Sequence, residues 1–389
     1  MKSSRNVRRY DQGTLQEVPW EQMKDGAYVK AYLSACLMDG AERYVKNVRT
    51  KMEALAVDDL VLPVTINETE YENSYVCSPY THYITYAKEE LRMLRMLRMP
   101  MLEWILERVL KGLGWLLKTS RVNQIAILNN WLLSTNLYHD LSPEQILALT
   151  QFCTHEFPQH VIAFRSVSAK LHPAMYEGMR KAGYLMVPSR CIYLFHPDWP
   201  ALGGWRVRNT LKRDQRMLEN SGYRIVPHEE LHEALVGRII DLYNALYLDK
   251  YSHQNPQFTH DFIRLALKKR TLTLLGLEKD GQLDGILGYF ERNGVMTTPL
   301  FGYDTTLPKE AGLYRMLSSL LVQEARKKEL LLHQSAGVGA FKADRGAVGE
   351  VEHTAVYVRH LPLSRRIVWR VLSWILLRFG VPLIQKYQL

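Results

Sequence analysis

The residues best equipped for chemistry gather between Ser335 and Tyr357. Ser335-Ala336-Gly337 is a small-residue turn, which lets backbone come close to a ligand or to another strand. Phe341-Lys342-Ala343-Asp344-Arg345-Gly346 follows as a short basic turn or helix. Its two cations, Lys342 and Arg345, are able to bind phosphate or carboxylate. Glu352, His353 and Tyr357 then lie in the apolar segment Val351 to Val358. A histidine titrates near neutrality and suits proton transfer. Alternation along a strand sends Glu352 and His353 to opposite faces, so one of the two can face a common site. A buried histidine that only satisfies a hydrogen bond is the alternative.

These groups need a frame. Leu330-Leu331-Leu332 reads as a buried strand before the turn, and Val351 to Val358 as the strand after it. Strand, turn, short helix, strand is a common way of placing polar groups at the end of a sheet. The chain has 389 residues, enough for two domains and a sizeable core. Its net charge of +10 favours an anionic partner: phospholipid, nucleic acid or a phosphorylated co-substrate. Cys36, Cys77, Cys153 and Cys191 are scattered, which fits reduced buried thiols of a cytoplasmic protein rather than a metal site. The first residues lack an apolar signal core, and charge interrupts every long apolar run.

Along the chain, Gln16 to Met52 has a helical pattern, which gives an N-terminal helical region over 1–57. Asp58 to Ile66 and the tyrosine-rich Ser74 to Tyr86 are rich in β-formers. Leu91, Leu94 and Leu97 interleave with Arg92, Arg95 and Arg98 up to Pro100. From Met101 a wheel gathers Leu102, Ile105, Leu106, Val109, Leu113, Leu116 and Leu117 on one side, with Trp104 and Trp115 at the flank. Val122 to Trp131 returns to strand. Ser142-Pro143 starts a helix that runs to about Glu156. His160 to Ser166 is a strand, Pro173 to Ala182 a helix closed by Gly183, and Tyr184 to Phe195 a strand pair before a Pro/Gly/Trp-rich linker. The second half opens on a basic helix, Val207 to Asn220. A helical region from His228 to Lys269 follows, interrupted at Tyr251–Thr259. A hairpin, a third strand and the helix Leu313 to Lys328 lead to the closing segment.

This succession resembles the GNAT acyltransferase fold, closest to its tandem FemAB-like and BioF2-like branch. The residues that carry the resemblance are Gly285 to Gly288, Gly302-Tyr303-Asp304, Gly312-Leu313-Tyr314-Arg315, Ser335-Ala336-Gly337, Phe341-Lys342 and Arg345-Gly346. It covers residues 206–361, with 120–195 as a degenerate first copy. The implied fold class is α+β: two tandem GNAT-like domains, each a mixed sheet flanked by helices, with amphipathic helical additions. The first domain is expected over 58–200, interrupted by amphipathic helices over 88–118. The second spans 201–361 and carries the site, and a basic amphipathic tail covers 362–389.

The resemblance implies an N-acyltransferase that moves an acyl or aminoacyl group to an amine. The donor is a co-substrate, acyl-CoA or a carrier-protein thioester, with no tightly bound cofactor; nucleic acid becomes a partner only if the donor is aminoacyl-tRNA. It assigns donor binding to Tyr303, Gly312, Tyr314, Arg315, Gly337, Phe341, Lys342 and Arg345. Proton transfer falls to Glu352, His353 or Tyr357, oxyanion stabilisation to Ser335, and the acceptor pocket to Tyr251, Asn255 and Gln257. The loop Leu307–Arg315 departs from the family, since Gly312 is its only glycine. A helix start can still bind phosphate there. A non-catalytic, membrane-associated binding protein on the same fold is the second reading.

His228-Glu229-Glu230-Leu231-His232 matches the zinc-protease pattern. Pro227 sets it at a helix start rather than within a buried helix, so no metal is expected. Near the C-terminus, Arg366, Arg370 and Ser373 form a polar stripe opposite Ile367, Val371, Leu372, Trp374 and Ile375. With the helix from Met101, this gives two basic, tryptophan-bearing segments suited to the inner face of an anionic membrane. Packing of the two on each other is the alternative.

Overall fold

The structure is a computed structural model that describes residues 6–89, 100–198 and 204–382. One twelve-stranded mixed sheet runs through it. Its strands are β1 (Val7–Tyr10), β2 (Lys51–Val57), β3 (Leu60–Asn67), β4 (Ile125–Leu128), β5 (Val161–Val167), β6 (Leu185–Phe195), β7 (Arg224–Val226), β8 (Thr273–Lys279), β9 (Gln282–Arg292), β10 (Val295–Tyr303), β11 (Leu331–His333) and β12 (Val348–Tyr357). Their spatial order is β1-β2-β3-β4-β5-β12-β6-β11-β10-β9-β8-β7.

That order contains a repeat. β1 to β4 pair antiparallel, and the Pro143–Glu156 helix then crosses to β5, parallel to β4. β7 to β10 pair antiparallel, and the Leu313–Lys327 helix crosses to β11, parallel to β10. In each half a further helix, Pro173–Ala182 or Gly339–Ala343, leads to the last strand. The last strands are exchanged: β12 pairs with β5 of the first half, and β6 pairs with β11 of the second. β6 and β12 pair antiparallel at the centre, so an approximate two-fold passes between them.

Local chemistry explains the best-read elements. Ser142 accepts from the Gln145 N–H while the Gln145 side chain accepts from the Ser142 N–H, a capping box with Pro143 at the first helical position. Gly183 closes the Pro173–Ala182 helix at φ 97°. Two apolar clusters cover the faces of the first-half sheet. One lies under the Pro143–Glu156 and Pro173–Ala182 helices. The other joins Ile125, Val161 and Val356 to Leu113 and Leu117 of the Pro100–Thr119 helix and to Val368, Trp369 and Leu372 of the Leu363–Ile375 helix.

Several expectations give way. The N-terminal region is not all helical, because β1 and β2 fall inside 1–57 and start the first meander. Ser74 to Tyr86 forms turns and a π-helical segment, Thr81–Thr85, instead of strands. Its own hydroxyls hold it there: Ser78 Oγ accepts from the Thr81 N–H at 3.0 Å and Thr81 Oγ1 donates to the Asn73 carbonyl at 2.7 Å. Tyr184 to Phe195 is one strand, and Pro188 is accommodated where the β6–β12 register shifts. The wheel from Met101 is rotated, since Leu113 and Leu117 are buried while Ile105 and Val109 are exposed. In the C-terminal helix Ser373 is buried, and Ile367 and Trp374 face outward. Leu91 to Arg98 lies outside the described residues.

Candidate functional site

At the central strand pair, Arg190 of β6 stands opposite Glu352 of β12. Its Nε donates to Glu352 at 2.9 Å, Nη1 to Ser335 Oγ at 3.1 Å, and Nη2 to the Ser134 carbonyl at 2.7 Å and Thr135 Oγ1 at 2.9 Å. One guanidinium thereby ties β12, the turn after β11 and the loop after β4. Burial pushes the Glu352 carboxyl up, but Arg190 and His333 outweigh that and bring it to about 2. Such a carboxylate stays ionised and is a weak base near neutrality.

His333 Nδ1 accepts from the Ser335 N–H at 3.1 Å, so Nε2 carries the proton and faces Glu352 at 3.5 Å. Ser335, His333, Glu352 and Arg190 close a ring. The residue types are those of a hydrolase triad, but the histidine takes the backbone N–H of Ser335 and not its hydroxyl. Ser335 is therefore no activated nucleophile. Its oxygen accepts from Arg190, which leaves its own proton to be donated elsewhere.

The turn itself is held in shape by Ser335 at φ 58°, Gly337 at φ 80° and Val338 at φ 45°. Lys342 Nζ donates to the carbonyls of Gln334 at 2.6 Å, Ala336 at 2.8 Å and Ser335 at 3.3 Å. Burial and the Arg190 charge pull its ammonium down to about 7, while three acceptors occupy its three protons. Arg345 donates to Asp214 at 2.7 Å and to the Phe341 carbonyl at 2.8 Å, and lies 3.3 Å over the Phe341 ring. Asp214, buried on the Gly204–Glu219 helix, also receives Arg315 at 2.9 Å. The expected donor ligands Lys342 and Arg345 are thus committed to protein acceptors.

β10 and β11 pair only over Val295–Thr297 and Leu331–His333. Beyond that the chain leaves β10 and follows β6, with the Gln334 N–H bonded to the Tyr193 carbonyl and the Tyr193 N–H to the Ser335 carbonyl. The strands splay, and half-buried aromatics line the gap. Tyr314 meets Phe341 at 4.8 Å, Phe301 at 5.5 Å and Tyr303 at 6.2 Å between ring centres. Tyr247 and Tyr251, 6.3 Å apart, extend the wall from the π-helical segment Ala245–Tyr251. Gly302 lets the Val236–Asn244 helix lie against β10, since a Cβ there would sit 2.5 Å from the Leu242 carbonyl. Beside the wall, an 850 Å³ cleft is lined by Arg213, Arg216, Lys279 and Arg315, by Asp280, Asp284 and Glu310, and by the loop before Gly312. Arg206, Lys212, Arg213 and Arg216 are exposed along the helix beside it.

Of the expected residues, Tyr303, Tyr314, Phe341 and Tyr251 form this wall, Ser335 and Gly337 lie in the turn after β11, and Arg315 lines the cleft. His353 and Tyr357 are in none of these. Strand alternation turns them to the other face, His353 against Tyr176 at 5.4 Å and Tyr357 against Tyr184 at 5.4 Å. Burial lowers the His353 pKa there. Asn255 and Gln257 also stand apart: Asn255 Nδ2 donates to the Tyr247 and Ser252 carbonyls and Gln257 Nε2 to the His253 carbonyl, bracing their own loop. His228-Glu229-Glu230-Leu231-His232 begins with the 3-10 turn His228–Glu230, so its histidines share no helix face. His228 accepts from the Leu274 N–H and donates to the Leu267 carbonyl, which uses both ring nitrogens.

The corresponding gap in the first half is filled. Past the last parallel pair, Leu128 with Phe164, residues 129–138 fold back into it and bury Trp131, Leu132, Leu133 and Leu137. Trp131 Nε1 donates to Asn129, and the Asn136 N–H to Ser166 Oγ. Ser166 has φ 60° and stands two residues past its parallel pair, as Ser335 does past Thr297 with His333.

Residues 206–341 match the family model described as the acetyltransferase (GNAT) domain. No curated protein matches the chain. Among solved structures, the C-terminal domain of a putative lysylphosphatidylglycerol synthetase from Agrobacterium fabrum is similar at 16% identity and TM-score 0.42, over 60% of this chain and 78% of that one. FemX is similar at 8% identity and TM-score 0.45, over 58% and 79%. A tandem GNAT protein from the clavulanic acid biosynthesis pathway is similar at 10% identity and TM-score 0.40, over 92% and 99%.

Proposed function

We propose that the chain, whose residues 206–341 match the GNAT domain, transfers an acyl group from an activated thioester to an amine acceptor at or near a membrane. The donor is acyl-CoA or a carrier-protein thioester, and transfer takes place in the gap between β10 and β11. The observation that supports this is the contrast between the halves: the second keeps an aromatic-walled gap that ends on Ser335. The amine attacks the thioester carbonyl, the oxyanion receives the Ser335 hydroxyl proton as a hydrogen bond, and the C–S bond breaks as the carbonyl re-forms. The departing sulfur takes the proton that the amine gives up, so the reaction balances as amide plus thiol. Arg190 holds the Ser335 oxygen, and Lys342 holds the shape of its turn. Tyr251, Tyr303, Tyr314 and Phe341 flank the acyl chain, and Arg315, whose Nε and Nη2 are held by Asp214, offers only its remaining, partly exposed edge to a donor phosphate.

A specific observation favours a second donor. The exposed cations of the Gly204–Glu219 helix suit the backbone of an aminoacyl-tRNA. Native mass spectrometry with a series of CoA thioesters and with aminoacyl-tRNA decides between them. A thioester complex that transfers its acyl group to an amine panel is the expected result, with Ser335→Ala lowering turnover about 10²–10³-fold at similar donor affinity. Folded protein that binds and transfers from no donor would leave the non-catalytic reading in its place.

A further inference from the structure

We infer that the Pro100–Thr119 and Leu363–Ile375 helices together form a surface that docks onto an anionic phospholipid bilayer. This rests on no part of the acyl-transfer chemistry. It gives the membrane-proximal setting a definite surface. Both helices already spend one apolar side on the first-half sheet, through Leu113 and Leu117 on one and Val368, Trp369 and Leu372 on the other. A surface helix needs only that one apolar stripe. These two carry a second. Ten of the seventeen exposed large apolar side chains among the described residues lie on them and their immediate continuation to Phe379.

Trp115 is 70% exposed, Trp374 60%, Trp104 57% and Phe379 53%. Leu110, Ile375 and Leu376 form the partly buried margin of the shared cluster, so the outward side chains of both helices continue from one packed base. Indole and phenyl rings standing out of a protein surface are what the bilayer interface accepts, because they have an apolar body and tolerate the headgroup region.

Charge selects the occupant. The segment Leu363–Gly380 has Arg365, Arg366, Arg370 and Arg378 and no acidic residue. Arg365 is turned inward, to Gln124 at 3.0 Å, and the other three are on the helix that bears the exposed rings. Arg378 lies 5.9 Å from the Phe379 ring centre and Arg108 4.9 Å from that of Trp104, which sets guanidinium groups beside the inserting rings. Arginines flanking protruding aromatics complement lipid phosphates and anionic headgroups. A second copy of this chain would bring the same cations against themselves. Among the described residues no helix is long and apolar enough to cross a membrane, so the contact is interfacial.

The test uses the full chain and vesicles of phosphatidylcholine alone or with about one-third phosphatidylglycerol. Flotation is expected with the anionic vesicles, weakening in high salt, together with a blue shift of tryptophan emission on binding. Trp104→Glu, Trp374→Glu and Phe379→Glu combined should abolish flotation at an unchanged melting temperature, since all three side chains are exposed. Arg370→Gln with Arg378→Gln should weaken binding to anionic vesicles about 25-fold, at about fivefold per basic residue. Undiminished flotation of the folded triple variant would overturn the proposal. So would a wild-type protein that ignores both vesicles, or one that dimerises in sedimentation velocity through the same three residues.

Discussion

The two halves of the sheet are built from one succession of elements and differ at the gap between their parallel strands. In the first half, residues 129–138 occupy it, with Trp131 1% exposed and Arg292 of the second half stacked 4.4 Å from its ring centre. In the second half the same gap is walled by tyrosines that keep part of their surface. A left-handed serine persists in both, Ser166 and Ser335, but Ser166 accepts from its own plug while Ser335 faces Arg190. One half fills its gap with core, and the other lines it with partly exposed rings. The first half still contributes to the second, because Arg190 ties the Ser335 turn to Ser134 from its side.

Breaking the plug should have the largest effect. Trp131→Ala removes a fully buried ring and should cost about 3–5 kcal/mol of unfolding free energy, read by urea denaturation. A loss under 1 kcal/mol would mean that the first gap is not core. Next comes the shared guanidinium. Arg190→Lys keeps a charge near Glu352 but loses the fork, a cost of about 1.5–3 kcal/mol. The pH dependence sharpens this. Glu352 titrates near 2 in the fold against 4.5 for a free glutamate, so the unfolded chain takes up the proton first as pH falls. Its stabilisation is full above 4.5 and is lost towards 2. In the lysine variant the folded value rises, and the pH-dependent share of stability between 4.5 and 2 should shrink. An unchanged profile would break the assignment of Arg190 as the group that holds Glu352. The smallest stability effect belongs to the open gap. Tyr251→Ala, at a residue 36% exposed, should stay within about 0.5 kcal/mol while raising the KM for donor or acceptor. A large stability loss with unchanged KM would make the second gap a core as well.

Elements whose causes are local were legible in the sequence. Ser142-Pro143-Glu144-Gln145 announces its helix because cap, proline and box are neighbours, and Lys279-Asp280-Gly281 announces its hairpin for the same reason. The turn at Ser335-Ala336-Gly337 and the alternation of Glu352 and His353 were legible too. The partners were not. Asp214 commits Arg315 and Arg345 from 101 and 131 residues away, and Arg190 meets Glu352 across 162. Nothing in the neighbourhood of Lys342 or Arg345 distinguishes a cation that binds a ligand from one that braces a turn. Ser74 to Tyr86 misled for a related reason: its tyrosines favour strands, and its serines and threonines, bonding back to the chain, decide otherwise. Arg190 carried one signal. It is the lone charged residue in a mostly apolar strand that also holds Pro188.

The exchange of final strands has a consequence for the order in which the molecule can be made. β5 and β6 are not neighbours; β12 lies between them. A ribosome that has finished β6 at Phe195 must add some 160 residues before Tyr357 emerges. At about 5–20 residues per second that is roughly 8–30 s. Throughout that time the nascent first half has a vacant slot bordered by unpaired backbone, a ready template for wrong partners. The closing step then needs contacts of very long sequence separation, which are slow to form. A chain cut between the halves would leave each without the strand that the other supplies. The turn at Ser335 therefore takes its final form only after β12 has been made.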